Sequence, residues 1–247
     1  MEEYYKTITH PDGSRLAFFS FEGTEPGIIF FSGYKSDMNG TKACSIELFC
    51  KEKNISFTKF DYFGHGKSDG KFEDGTISRW LEDSLLIFDN ITIGKQILIG
   101  SSMGAWIMFI LANLRKSRLA GVIGIASAPD FTKFFIENAN PKIRKELKNK
   151  GIYWQDSYYS HQKTPITSKF IKDSKNFYIL EKNISLECPV RLVHGLKDMD
   201  VSYKRSIDLG ENILSSDLSF YFFPEGDHRL SKPEEISALI KIVEEIL

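Results

Sequence analysis

The chain has 247 residues, 42% of them hydrophobic and 26% charged, enough apolar material for one large domain with a substantial core rather than two small ones. Its 32 Lys and Arg nearly balance 33 Asp and Glu, a formal charge of −1, which supplies no electrostatic drive toward nucleic acid or an anionic membrane. Met1-Glu2-Glu3-Tyr4-Tyr5-Lys6 has neither the basic start nor the apolar stretch of a signal peptide, and no run approaches membrane-spanning length, so a cytoplasmic protein without stable membrane insertion is expected.

The first elements read as extended. Residues 4–10 and 14–21 alternate and are joined by Pro11-Asp12-Gly13, turn chemistry that favours an antiparallel hairpin at a sheet edge. Ile28-Ile29-Phe30-Phe31 is a short continuous apolar run, the pattern of a central strand, and it ends at Ser32-Gly33-Tyr34. A helix from about Asn39 to Lys51 leads to a strand from Ile55 to Asp61, which stops in the glycine-punctuated loop Asp61-Tyr62-Phe63-Gly64-His65-Gly66-Lys67-Ser68. The next helix, Thr76 to Asp89, carries Ile77, Trp80, Leu81, Ser84, Leu85 and Phe88 at helical spacing and leaves Glu82 and Asp83 for water. Lys95 to Ile99 then reads as a strand buried on both faces, running through Gly100-Ser101-Ser102-Met103-Gly104 into a helix, Ala105 to Leu114, that is apolar almost all round. Leu119 to Ala126 is a further apolar strand. Strands alternating with helices over this length call for a parallel sheet covered on both faces, with a ligand site beyond the carboxyl ends of the strands.

At Pro129 the rhythm breaks. From 130 to 186, about 57 residues, there is no buried-strand run. Phe131, Phe134, Phe135 and Ile136 share a helical face, Pro141 opens a strongly basic helix, and Tyr153, Trp154, Tyr158 and Tyr159 follow. The segment is expected to be a helical cap inserted into a core made of 1–129 and 187–247, its aromatic residues serving chiefly to fasten it. The strand rhythm resumes over Cys188 to Gly195, followed by a helix around Tyr203 to Leu214, a strand from Leu218 to Phe223, the loop Pro224 to Arg229 and a closing helix from Pro233. The three cysteines, Cys44, Cys50 and Cys188, show no Cys-x-x-Cys spacing and are expected to be small buried apolar residues.

Gly-x-Ser-x-Gly between a strand and a helix is the nucleophile-elbow pattern, a turn so tight that its flanks tolerate almost no side chain. An alcohol near its free pKa is a poor nucleophile, so Ser102 needs a base in hydrogen-bond reach and a carboxylate behind that base. The order Ser, then acid, then His is met by Ser102, Asp198 and His228, each just after a predicted strand. Of the other histidines, His10 lies in the terminal hairpin, His65 holds its loop, His161 lies in the cap and His194 is a satisfied structural residue of its strand. Asp130 begins the cap, Asp200 comes late in its turn and Asp227 shapes the histidine loop, which leaves Asp198 as the acid. An oxyanion hole needs two backbone donors. The amide of Met103 supplies one, and that of Tyr34 the other, because Gly33 lets the backbone approach closely.

Gly-Ser-Ser-Met-Gly-Ala-Trp, Phe-Asp-Tyr-Phe-Gly-His-Gly-Lys-Ser, His-Gly-Leu-Lys-Asp and Gly-Asp-His-Arg-Leu together resemble the α/β-hydrolase superfamily. With Ser-Gly-Tyr-Lys-Ser-Asp-Met-Asn-Gly-Thr-Lys-Ala at 32–43, the sequence is similar to the branch holding the mitochondrial acyl-glucuronide esterase and palmitoyl-protein thioesterase and its bacterial relatives. The resemblance implies a mostly parallel eight-stranded sheet and hydrolysis of a carboxylic ester or acyl thioester, on a small-molecule, acyl-chain or acylated-protein substrate. Ser102, Asp198 and His228 fall on the family's triad positions, and no metal or organic cofactor is required. Ser32 stands where many members have His, and Ala105 where a second Gly is frequent, departures that bear on substrate range. A serine peptidase or amidase on the same fold and a non-catalytic binding protein are the competing readings.

Overall fold

The computed structural model describes residues 5–156 and 163–247, so Tyr158, Tyr159 and His161 lie outside the described residues. The chain opens with the expected hairpin, β1 (Lys6–Thr9) and β2 (Arg15–Phe21), then β3 (Thr24–Phe31), α1 (Thr41–Lys53) and β4 (Ile55–Phe60). α2 (Ile77–Ile91), β5 (Gln96–Ser101), α3 (Met103–Leu114) and β6 (Leu119–Ile125) continue the alternation. After a long insert come β10 (Val190–Gly195), α7 (Lys204–Glu211), β12 (Leu218–Phe223) and α8 (Pro233–Glu244). Among the described residues the main sheet has eight strands in the order β1-β2-β4-β3-β5-β6-β10-β12. β2 runs antiparallel to both neighbours and the rest of the sheet is parallel, so β3, β5, β10 and β12 all end on the same edge.

The continuous apolar runs make sense in this arrangement, because a central parallel strand is covered on both faces and has no side for water. One face buries Leu98, Trp106 and Phe109 with Trp80 and Phe88 of α2, and the other buries Ile28, Ile97 and Ile99 with Ile46 of α1 and Val243 of α8. α3 is buried over most of its length, as its all-round apolar composition requires.

Three local expectations are corrected. Asp83, assigned to water by helical periodicity, is fully buried: its carboxylate accepts from Phe63 N–H at 2.8 Å and from Arg79 Nε at 2.8 Å. The loop after β4 lies across that side of α2, a tertiary contact that periodicity cannot register. The helix expected to reach Leu214 ends at Glu211, and Ile213–Leu214 (β11) pairs instead with Ile184–Ser185 (β9). The insert is also not wholly helical. Alongside α4 (Phe131–Glu137), α5 (Pro141–Lys150) and α6 (Ser168–Ser174) it contains an antiparallel pair, β7 (Ile152–Gln155) and β8 (Thr164–Thr167).

Cys50 and Cys188 are buried, and burial pushes their thiols up, to about 12 and about 11; Cys44 is half-buried.

Candidate active site

Ser102 sits at the junction of β5 and α3 with φ 56° and ψ −120°, a conformation an L residue rarely adopts. The flanking glycines explain how it is held. A Cβ on Gly104 would lie 2.2 Å from the Phe31 carbonyl oxygen, and one on Gly100 would lie 2.6 Å from Ala105 Cα. The turn therefore packs backbone against backbone, which only glycine permits. Ser102 N–H donates to Ile125 O at 2.9 Å, tying the strained residue to the neighbouring strand.

The structure brings the three residues singled out in the sequence together. His228 Nε2 lies 3.1 Å from Ser102 Oγ, and His228 Nδ1 lies 2.7 Å from Asp198 Oδ2. The carboxylate accepts only, so Nδ1 carries the proton and Nε2 presents its lone pair to the serine hydroxyl. Asp198 is itself held on every side. Its Oδ1 accepts from the amides of Asp200 at 2.9 Å and Val201 at 2.8 Å, and its Oδ2 also lies 3.0 Å from His194 Nε2. Burial alone would raise this carboxyl, but the hydrogen bonds from His194 and His228 outweigh burial and hold it well below the usual carboxylate range.

His194 is the residue whose placement the sequence reading undervalued. It is buried, as expected of a strand histidine, with Nδ1 2.7 Å from Ser206 Oγ. Its Nε2 also faces the Val201 carbonyl at 3.0 Å, so both neighbours of that nitrogen accept and Nε2 carries the proton. The spacing His194-x-x-x-Asp198 was the available signal.

The rejected candidates lie elsewhere. Asp130 uses both carboxylate oxygens on the insert, accepting from Ile179 N–H at 2.9 Å and Leu180 N–H at 3.0 Å. Asp227 accepts from the amides of Arg229 and Leu230 at 2.9 and 3.2 Å, which shapes the loop beside His228. Burial raises Asp200, whose amide serves Asp198. His10 remains in the terminal hairpin beside Asp12.

Two amides border Ser102. Met103 N–H is at the first position of α3, where helix geometry leaves it without an intrahelical acceptor. Tyr34 lies in the turn after β3, and a Cβ on Gly33 would come within 3.4 Å of Ser102 Cβ, so this turn passes directly against the serine. On the insert side the surroundings are aromatic: the Tyr34 ring contacts Phe72, Trp80, Phe131 and Phe170 at centroid distances of 4.8 to 5.8 Å. Beside α1 lies a cavity of about 290 Å³ whose mixed lining includes Phe30, Ser36, Lys42, Ser101 and Arg229 but neither Ser102 nor His228. Burial holds the Lys42 ammonium down to about 8. Among the described residues no His, Cys, Asp and Glu cluster could hold a metal ion, and no helix is long and apolar enough to cross a membrane.

Sheet order, crossovers and the strand-turn-helix at Ser102 define an α/β-hydrolase fold. The profile of the serine aminopeptidase S33 family, Hydrolase_4, matches residues 25–178. Human palmitoyl-protein thioesterase ABHD10, a mitochondrial protein, is 37% identical over 244 residues, which cover 97% of this chain and 79% of the relative. The mouse alpha/beta hydrolase domain-containing protein 10 superposes with a TM-score of 0.91 at 35% identity, covering 98% of this chain and 97% of that one. A putative hydrolase from Agrobacterium vitis superposes with a TM-score of 0.93 at 33% identity over 98% of both chains. The chain belongs to the Hydrolase_4 family of α/β-hydrolases and is a hydrolytic enzyme.

Proposed function

We propose that the protein is a serine esterase or thioesterase in which Ser102, His228 and Asp198 form the catalytic triad. The observation that carries this reading is the continuous line from Ser102 Oγ through both nitrogens of His228 to Asp198, with hydrogen-bond distances of 3.1 and 2.7 Å. Ser102 Oγ attacks the acyl carbon while its proton passes to His228 Nε2, and the carbonyl electron pair moves onto oxygen. The amides of Met103 and Tyr34 receive that oxyanion. Collapse expels the thiolate or alkoxide, which takes the proton from His228. Water then attacks the acyl-enzyme by the same route, giving the carboxylic acid and restoring the serine. Asp198 keeps the imidazole in the tautomer this sequence needs and stabilises the imidazolium between steps.

The substrate class rests on the relatives named as thioesterases and on the aromatic surroundings of Tyr34. The aromatic rings packed around Tyr34 suit an acyl chain. Residues 130–186 act as the cap that selects the acyl chain, on a core of 1–129 and 187–247. The cytoplasmic location expected from the sequence belongs to the same proposal, set against mitochondrial relatives, and cell fractionation decides it.

Fluorophosphonate labelling and p-nitrophenyl ester hydrolysis should both disappear in Ser102→Ala, since removing the nucleophile of such a triad costs on the order of 10⁶ in kcat. Undiminished labelling in that variant would sink the reading. The family description also names an aminopeptidase, and the triad geometry serves amides as well as esters. A clear preference for aminoacyl anilides over nitrophenyl esters would move the assignment to peptidase. Tight ligand binding without turnover would move it to a binding protein.

A further inference from the structure

The turn that carries the Tyr34 amide is strained. Ser36 N–H donates to the Gly33 carbonyl at 3.1 Å, closing a four-residue turn whose third residue, Lys35, has φ 57°. Positive φ at that place is the mark of a type II turn, where Gly or Asn is usual and an L side chain crowds its own backbone. Nothing in the chemistry of Lys35 favours it. Its backbone is held from another loop, where Lys35 N–H donates to His65 Nε2 at 3.3 Å, and its side chain is held by Nζ donating to Lys163 O at 2.9 Å.

The surroundings of His65 prepare it to accept. Its Nδ1 lies 3.2 Å from the Phe63 carbonyl, which can only accept, so Nδ1 carries the proton and Nε2 offers its lone pair to Lys35. The ring is buried among Tyr62, Phe72 and Trp80, at centroid distances of 5.5, 4.9 and 5.2 Å. Burial pushes its pKa down to about 4, so the ring stays neutral, and an acceptor, throughout the range in which a serine hydrolase works. The ring nitrogen beside the Ser102 hydroxyl is His228 Nε2, and the two nitrogens of His65 serve the Phe63 carbonyl and the Lys35 amide.

We propose that His65 is a positioning residue for the oxyanion hole: by accepting the Lys35 N–H it holds the 33–36 turn in the one conformation that presents the Tyr34 amide beside Ser102. The inference rests on the reading of Tyr34 as an oxyanion donor. Without the acceptor, the middle peptide of the turn loses its partner and Lys35 relaxes toward an unstrained φ, restrained through the side chains, Tyr34 Oη on Pro165 O and Lys35 Nζ on Lys163 O, so the adjoining amide shifts off its mark. Misplacement of a reacting geometry by about 1 Å costs about a hundredfold in rate.

Two substitutions separate the ring's two nitrogens. His65→Asn retains a donor near the Nδ1 position and has nothing at the Nε2 position, whereas His65→Gln places an oxygen there. On a p-nitrophenyl ester, His65→Asn should lower kcat about thirtyfold with KM changed less than about twofold, and His65→Gln should recover most of that loss. Glycine adopts positive φ without strain, so in a Lys35→Gly background the same His65→Asn change should cost less than about threefold. Unchanged kcat in His65→Asn, failure of Gln to recover it, or equal costs in the native and Lys35→Gly backgrounds each overturn the proposal. Ser102→Ala run alongside keeps the two readings apart. Activity surviving there removes the serine-hydrolase assignment, whereas its loss with an additive His65–Lys35 cycle removes this inference alone.

Discussion

The carboxyl edge of the sheet and the insert that follows β6 are held by different means. At the sheet edge each group near Ser102 is fixed from several directions: Asp198 takes four hydrogen bonds, and both nitrogens of His65 and of His194 are engaged. The insert is attached at separate points by single side chains reaching for backbone. Trp106 Nε1 donates to Phe177 O at 2.9 Å, Tyr34 Oη donates to Pro165 O at 2.7 Å, and Asp173 accepts an amide from across the junction. On the proposed function, the over-determined groups set the rate, and the insert, with its point attachments and aromatic packing, sets which substrates fit. Perturbing the sheet edge should therefore change kcat, and perturbing the insert should change KM in a way that depends on the acyl chain.

The largest expected effect is at Asp198. An asparagine there can donate where the native oxygen accepts, which drives His228 to the tautomer with its lone pair on the wrong nitrogen. Asp198→Asn should lower kcat by about 10⁴ with the fold intact. Single-turnover acylation followed with a chromogenic ester checks this, and a loss below about tenfold would contradict the assignment of the acid.

A smaller effect, on stability, tests whether the sheet-edge histidine is buried neutral. His65 titrates near 6.5 in the unfolded chain and near 4 in the folded one, so between those values the unfolded state binds a proton that the folded state does not. Its contribution is fully present above about pH 6.5 and is lost as pH falls toward 4, on the order of 3 kcal/mol. Asp83 has the opposite sign: burial raises it from 3.8 to about 6, so the folded state binds the extra proton and gains stability as pH falls through that window. Asp198, depressed rather than raised, loses its contribution only below this range. His65→Asn should remove the first slope and expose the second, so that urea midpoints at pH 7, 5.5 and 4.5 run apart from those of the native protein. Parallel curves would show that His65 does not enter folding as a neutral group.

The two regions also differ in how much of them could be read in advance. β5, β6 and the Ile28–Phe31 stretch of β3 announce themselves because a strand covered on both faces presents a continuous run with almost no charged residue. The strand-end spacing of Ser102, Asp198 and His228 is legible because the parallel sheet delivers its carboxyl ends to one edge. Contacts that join distant loops are not legible. Helical spacing alone sends Asp83 to water, because nothing local shows that Phe63 presents an unpaired amide there. The bond from Lys35 to His65 spans thirty residues and depends on a backbone angle no composition reveals. In the insert, β7 is half exposed and β8 contains Pro165, so neither shows the alternation or the apolar run by which a strand is recognised.

Asp173 offers a perturbation of the insert that leaves every hydrogen bond of Ser102, His228 and Asp198 described above in place. It lies in α6, and its carboxylate reaches across to the first turn of α2, accepting from Ser78 N–H at 2.9 Å and from Ser78 Oγ at 2.6 Å. A carboxylate at a helix N-terminus satisfies an orphan amide and meets the positive end of the helix dipole, so this one residue both caps α2 and fastens the insert to it. Asp173→Ala should cost about 1 kcal/mol of stability. Because α6 also carries Phe170, stacked on Tyr34 at 5.3 Å, loosening it should blur the aromatic side of the site while leaving the Ser102–His228–Asp198 line alone. The expected result is a KM raised about threefold for long acyl esters, with kcat on an acetyl ester unchanged, a difference of about 0.7 kcal/mol in binding. An acyl-length series on this variant reads it directly. Equal losses on acetyl and long-chain esters would mean that the insert acts on the chemistry itself, and the division between a rate-setting edge and a substrate-selecting insert would have to be given up.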